Sequence, residues 1–381
     1  MHNVEKMITV QDCCGCAVCR HVCSKNAISM VTDEHGFLHP KVDKTLCVDC
    51  GICVRVCPEI EPEKEKKRRV SCYGIINNDK EIKKDSTSGG LFSLLADYVI
   101  DSGGVVYGAI YNVGKIEHIR VIGDYGKMRG SKYCQSTIDG VIDAFINDLN
   151  QGVKVLFTGT PCQCAGLKKL LMLKKIPSDN CIIVDIVCHG VVSPMLLKDY
   201  IDYVEKKTHK EIAVHKFRDK VNGWSQHTES NIFVDGTYDY QSYESQLYKR
   251  IFLNHYGLRE ACFNCKFTCY DRVSDITMAD FWGLNKSRPE MWNDEGISFA
   301  IVSTDKGDRI IDAIRDKGTV FDADMEDTRQ PQLLAPPKKP KGYEDFWNCY
   351  LQCGFKKIVV HYFHGGVLRR LASDLINRIK R

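Results

Sequence analysis

A chain of 381 residues is long enough to bury two or three cores, and 53 basic against 49 acidic residues, a net charge of +4, build no global field that would draw nucleic acid. Hydrophobic residues make up 44% of the chain, yet no apolar run reaches the length of a membrane span, and the N-terminus lacks the apolar core of a signal peptide. A cytoplasmic protein is expected, and in that compartment twenty cysteines serve as metal ligands or redox groups sooner than as disulfides.

Eight of those cysteines open the chain in two runs of C-x2-C-x2-C-x3-C: Cys13, Cys16, Cys19 and Cys23, then Cys47, Cys50, Cys53 and Cys57, the second followed by Pro58. The spacing resembles that of two-cluster bacterial ferredoxins, where three thiolates of one tight loop reach one cubane and the fourth points across to its neighbour. The assignment carried over from that pattern is crossed. One 4Fe-4S cluster takes Cys13, Cys16, Cys19 and Cys57; the other takes Cys47, Cys50, Cys53 and Cys23. C-x2-C is also zinc spacing, but two complete tandem runs with Gly15 and Gly51 in their loops favour clusters. Cys14 is an extra thiol, and Ser24 stands where the first run would carry proline.

Between the runs, Ala27 to Val31 and Gly36 to Pro40 read as the strands of a small hairpin. Such a module has little core of its own and draws folding free energy from its clusters. The dense charges from Glu61 to Arg69 read as a solvated linker, with a docking patch for an acidic donor as the alternative. From residue 70 the pattern is α/β. Cys72 to Ile76 predicts a strand, and Ser88-Gly89-Gly90 opens a helix over Leu91 to Ile100 that Ser88 or Thr87 would cap. Val105 to Tyr111 and Ile116 to Ile122 predict strands, Thr137 to Leu149 a helix, and Val153 to Phe157 a buried strand. After that strand comes Thr158-Gly159-Thr160-Pro161-Cys162-Gln163-Cys164, then a helix to about Leu173. The strand Cys181 to Val187 runs into Cys188-His189-Gly190, and Ser193-Pro194 starts a helix to about Lys207. Alternating strand and helix calls for a sheet at least partly parallel. Residues 212 to 241 predict antiparallel strands, Tyr243 to His255 a helix, and 297 to 321 a final strand–helix–strand unit. A proline-rich connection, Pro331 to Gly342, then leads to a basic helical tail with Arg369, Arg370, Arg378, Lys380 and Arg381.

Cys162, Cys188, Cys262 and Cys265 stand at strand ends or in adjacent turns, and strand ends on one side of an open α/β sheet converge at its ligand crevice. Four thiolates gathered there would bind an iron–sulfur cluster or zinc, with Cys164 and Cys269 in reserve; buried core cysteines are the plain alternative.

These motifs, with Ala279-Asp280-Phe281-Trp282-Gly283 and Gly130-Ser131-Lys132-Tyr133 in the same order, resemble the coenzyme F420 hydrogenase/dehydrogenase beta-subunit family over nearly the whole chain. The resemblance implies an oxidoreductase with FAD beside a 4Fe-4S cluster, relaying electrons between a one-electron carrier such as a ferredoxin and a two-electron small-molecule or coenzyme substrate. It makes Cys162, Cys188, Cys262 and Cys265 the ligands of a third cluster, and Ser88, Gly89, Gly90, Lys132 and Thr160 the flavin contacts. The competing reading of Ser-Gly-Gly is an ordinary helix start, of Lys132 a surface lysine, and of Asp280 and Trp282 turn and core residues. His189 would donate a proton or bond a cluster sulfur, or serve as a structural hydrogen-bonding residue. No nucleophile–base pair marks a catalytic residue, and no G-x-G-x-x-G fingerprint follows a predicted strand.

The expected architecture is therefore α+β or α/β: a two-cluster ferredoxin module at 1–62, a mixed-sheet flavin and iron–sulfur domain at 70–330, and the connection and tail at 331–381. Partners are a redox protein and a substrate, with no nucleic acid and no membrane; a homo-oligomer is allowed. The second functional reading is an electron-transfer subunit of a larger complex with no substrate of its own.

Overall fold

A computed structural model describes residues 3–60 and 70–363. The charged run 61–69 and the basic tail from Arg369 onward lie outside the described residues. Each cysteine run ends in a single helical turn, Val18–Val22 and Ile52–Val56, entered through left-handed backbone at Ala17 and Gly51. Between them β1 (Ile28–Thr32) and β2 (Leu38–Val42) pair antiparallel, with Ile28 opposite Val42.

The large domain is built on eight strands: β3 (Ser71–Asn77), β4 (Val105–Asn112), β5 (Lys115–Val121), β6 (Val155–Gly159), β7 (Cys181–Ile186) and, after a separate sheet of β8 (Ile212–Asp219), β9 (Thr228–Phe233) and β10 (Tyr238–Asp239), the strands β11 (Ile276–Asp280), β12 (Ser298–Val302) and β13 (Gly318–Ala323). Their order is β13-β3-β12-β11-β7-β6-β4-β5. The central β4, β6, β7 and β11 run parallel, and the flanks are antiparallel. The fold is mixed α/β with a small cysteine-rich module in front of it.

Alternate residues of the central strands face opposite ways, and both faces are covered. Val155, Phe157, Cys181 and Ile183 pack under helices Ile142–Asn150 and Pro161–Lys174; Leu156, Ile182 and Val184 pack under Leu91–Ile100 and Asp305–Ala313. The cysteine module seats itself on the first face, where Val18, Val22 and Val56 enter the same core. A second core joins β8 and β9 to helices Pro194–Thr208, Leu247–Leu253 and Tyr343–Cys353.

The structure corrects several sequence expectations. Neither Ser88 nor Thr87 caps helix Leu91–Ile100: Gly90 does, at φ 89°, a conformation that favours glycine. Residues 137–141 are not helical, because the Thr137 carbonyl accepts from His118 N at 3.0 Å and pairs with β5 instead. The helix expected over Tyr243 to His255 is trimmed to Leu247–Leu253, since the Ser242 hydroxyl and Asp239 carboxylate take the preceding N–H groups. The helix of the 297–321 strand–helix–strand unit spans Asp305–Ala313 and starts where the Thr304 hydroxyl accepts from Gly307 N. Within the described residues 331–363 the chain packs back on the large domain: Phe346 and Trp347 are buried in one core with Phe37, Leu197 and Tyr200.

One carboxyl lies within that second core. Glu229 is fully buried; its Oε2 accepts from Lys249 N at 2.7 Å, while Oε1 has no hydrogen-bond partner among the described residues. Burial pushes its pKa from 4.5 up to about 8. Above pH 4.5 the unfolded chain gives up a proton that the folded chain keeps, so stability falls as pH rises to about 8 and then levels. Glu229→Gln should abolish that fall; urea melts of both proteins across the pH range check it, and parallel curves would refute it.

Candidate iron–sulfur and flavin site

The C-terminal ends of β6, β7 and β11 lie on one side of the sheet. From β6 the chain passes into Thr160, Pro161 and Cys162, and from β7 into Cys188-His189-Gly190. Cys162 lies inside the first turn of helix Pro161–Lys174, which begins earlier than expected because Thr160 and Gln163 form a capping box ahead of Pro161. Cys262 and Cys265 come from the short 3-10 segment Glu260–Asn264 and its end. Two devices hold that segment to β7. Val192 bridges Leu258, and Arg272 donates to the carbonyls of Phe267 (2.7 Å) and Ile186 (3.1 Å) while pairing with Asp185 at 3.2 Å.

These four cysteines line one small cavity of about 40 Å³, together with Cys14, Glu59 and Arg259. Their thiols are all pushed up: Cys162 by the adjacent Cys14 thiol and then burial, Cys188 to about 12 by burial and then Cys162, Cys262 by burial and then Cys188, Cys265 by burial and then Cys162. Thiols that desolvate and repel one another need a cationic centre to become thiolates, so this donor set fits an iron–sulfur core. No three His, Cys, Asp or Glu side chains among the described residues stand close enough to hold one ion. Of the reserve thiols, Cys164 turns into the core toward the Val184 carbonyl (3.6 Å), and Cys269 bonds the Asp271 carbonyl (3.2 Å).

The cysteine runs divide into an inner and an outer set. Cys13, Cys16, Cys19 and Cys57 are buried and feel one another: burial and then Cys13 raise Cys19, and burial lifts Cys57 to about 11. Cys13 goes the other way; burial raises it, and a bond from His39 with the Arg259 charge brings it below its ordinary value. Cys23 and Cys47 are half-buried and Cys50 is exposed, with Cys53 buried behind them. The inner set abuts the helix that carries Cys162: a Cβ on Gly166 would stand 3.2 Å from Cys16 Sγ. Lys169 Nζ donates to the Cys57 carbonyl at 2.9 Å, and Lys266 bonds the Glu59 carbonyl.

Beyond the thiols a larger cavity of about 540 Å³ opens, and Thr160 and Cys188 line both spaces. Among the described residues its walls carry Arg129, Lys132, Arg218, Lys249 and Arg329 against the one carboxylate of Asp280, with Tyr133 and Trp282 as flat apolar surfaces. Lys132 is no free surface lysine: Nζ donates to the carbonyls of Met128 (2.7 Å) and Arg129 (2.8 Å), and burial lowers its pKa to about 7. Ser88 and Gly90 lie on the wall, with Ser88 Oγ donating to the Ile297 carbonyl at 2.7 Å. Gly89 instead packs against the sheet, where a Cβ would stand 2.2 Å from the Ile75 carbonyl. Asp280 accepts from Arg218 (3.1 Å) and Trp224 Nε1 (3.2 Å), and Trp282 stacks on Trp224 at 4.4 Å, so these residues shape the wall and build the core at once. His189 is held at both nitrogens, by His255 at 2.8 Å and Gln332 at 2.7 Å. A cavity of this size, basic along its walls and partly aromatic, fits a dinucleotide with an anionic diphosphate and a planar ring.

Sequence reasoning missed Arg218, Arg259 and Gln135. A signal was present for one of them: Arg259 stands three residues before Cys262.

Residues 152–328 match the family model for the C terminus of the coenzyme F420 hydrogenase/dehydrogenase beta subunit, and residues 39–62 match a 4Fe-4S binding domain. No curated protein matches the sequence. Among solved structures, a chain of the xenon-derivatised F420-reducing NiFe hydrogenase complex from Methanosarcina barkeri aligns over 78% of this chain and 93% of its own, at 17% identity and a TM-score of 0.46. No helix among the described residues is long and apolar enough to cross a membrane. Residues 152–328 thus match the C-terminal part of the coenzyme F420 hydrogenase/dehydrogenase beta-subunit family, an oxidoreductase-type family, behind a 4Fe-4S binding domain at residues 39–62.

Proposed function

We propose that the chain is an iron–sulfur flavoprotein that relays electrons between a one-electron carrier, such as a ferredoxin, and a two-electron substrate. The observation that carries this reading is the shared wall: the cavity lined by Cys162, Cys188, Cys262 and Cys265 adjoins the inner cysteine set on one side and the 540 Å³ basic cavity on the other. Three 4Fe-4S clusters and FAD would supply single-electron transfer and two-electron exchange. The two N-terminal clusters would be held by the crossed sets, and the third by the four cavity thiols.

The chain's own residues do the rest. Lys132, Arg218 and Lys249 offer positive charge to an anionic ligand, while Ser88, Gly90 and Thr160 give it close approach. Packing of Gly166 on Cys16 keeps the inner set against the cavity. Twenty cysteines, mostly poised as ligands, suit the reducing cytoplasm.

The test is reduction of the anaerobically purified protein by stoichiometric reduced ferredoxin, followed by absorbance. Flavin bleaching in the native chain, and its loss in Cys162→Ser, are expected; flavin that stays oxidised while the clusters reduce would sink the relay. The matched family is a beta subunit, which favours a second reading: an electron-transfer subunit without its own substrate. Turnover by the isolated chain after size-exclusion would exclude it.

A further inference from the structure

Arg259 belongs to the large domain by its backbone and to the cysteine module by its side chain. Its N–H donates to the Val191 carbonyl at 2.9 Å, and its carbonyl accepts from Cys262 N at 2.9 Å. The guanidinium points the other way. Nε donates to the Cys13 carbonyl, Nη2 to the Leu38 carbonyl at 2.8 Å, and Nη1 to Gln135 Oε1 at 2.8 Å, with the group lying 5.1 Å over the Phe37 ring. Gln135 in turn donates to the Cys14 carbonyl at 3.1 Å. The residue is 2% exposed.

A guanidinium stays charged at any working pH, and a charge taken from water needs an opposite one nearby. The acceptors just named are neutral, as is the amide–carbonyl frame around them, and His39 beside Nη2 already pairs with Asp33 at 2.8 Å. Glu59, the carboxyl on the same cavity wall, answers to Lys266 ahead of Arg259. The natural counter-charge is the inner thiolate set that begins at Cys13. The outer set is more open: Cys23 and Cys47 are half-buried and Cys50 is exposed, where water screens charge.

We propose that Arg259 is the positioning residue that raises the reduction potential of the inner N-terminal cluster, held by Cys13, Cys16, Cys19 and Cys57, above that of the outer one, so that electrons arriving at the surface fall inward. This rests on the two-cluster reading of the cysteine runs. A fixed cation stabilises the reduced cluster, which carries one more negative charge. Each transfer is a single electron: the outer cluster, reduced by a ferredoxin-class donor, is oxidised by one and the inner cluster reduced by one, with no proton required. The same side chain, tied through its backbone to Cys262, keeps the inner set facing the cavity thiols.

The experiment is redox titration with EPR detection on the anaerobically purified full chain, with iron counted in each sample. The native protein should show two N-terminal cluster signals of unequal potential. Arg259→Gln should lower the inner one by at least tenfold in its reduction equilibrium, about 59 mV for one electron, and leave the outer one in place. Arg259→Lys, which keeps the charge and loses the fork, should stay within about threefold of native. An inner potential unmoved in Arg259→Gln at full iron overturns the proposal alone. So does a tenfold drop in Arg259→Lys, which also decides the matter if the glutamine variant fails to hold iron. A native protein with one N-terminal signal overturns the two-cluster reading and the proposal together.

Discussion

Cys265→Ser protein, purified anaerobically, should carry about eight irons against about twelve expected of the native chain, a loss of one 4Fe-4S unit. The physical ground is local. Cys265 lies at the end of the Glu260–Asn264 segment, and its thiol is raised by burial and by Cys162, so it shares a desolvated space with the other three. A hydroxyl there neither forms a thiolate nor bonds iron strongly. On the crossed assignment the cysteine-run clusters would draw no ligand from this segment, so their EPR signals should persist. Iron unchanged in the variant would refute the assignment.

Arg218→Ala should have the largest effect on folding, a loss of ~3 kcal/mol or more in urea unfolding. Arg218 is 5% and Asp280 15% exposed at the side chain, and their 3.1 Å pair is reinforced by Nη2 on the Trp224 carbonyl at 3.1 Å. Removing the guanidinium strands a mostly buried carboxylate and uncovers Trp282, over which the guanidinium sits at 5.4 Å. The same change takes a positive charge from the large cavity, so flavin retention should fall too. Arg218→Lys should recover part of both, because the charge remains while the two-pronged contact does not. Native-like stability in the alanine variant would show that Asp280 does not depend on this pair.

What the sequence disclosed follows from how far apart the partners are in the chain. The two cysteine runs are legible because each places three cysteines within seven residues. Strands β6 and β7 are legible because burial on both faces leaves continuous apolar runs. Cys162 and Cys188 were readable as strand ends that the parallel pairing of β6 and β7 brings together; Cys262 and Cys265 lie in the Glu260–Asn264 segment and at its end, which the Val192–Leu258 bridge and Arg272 hold to the end of β7. Arg259 was hidden because its side-chain partners, Cys13, Leu38 and Gln135, lie more than one hundred residues away. The misread starts have a common cause. Thr137 keeps helical spacing with Val141 and Phe145 but gives its carbonyl to His118, and Ser88 looks like a cap but gives its hydroxyl to Ile297. Local pattern proposes a hydrogen bond, and tertiary structure spends the group elsewhere.

The cavity thiols and the basic cavity beside them are the centre of the account, and metal and flavin analysis of the native chain tests them most directly. Anaerobic purification with iron, sulfide, zinc and flavin quantified should return about twelve irons, matching sulfide and one FAD per chain. About eight irons with FAD would contradict the third cluster, and iron without flavin would contradict the relay itself.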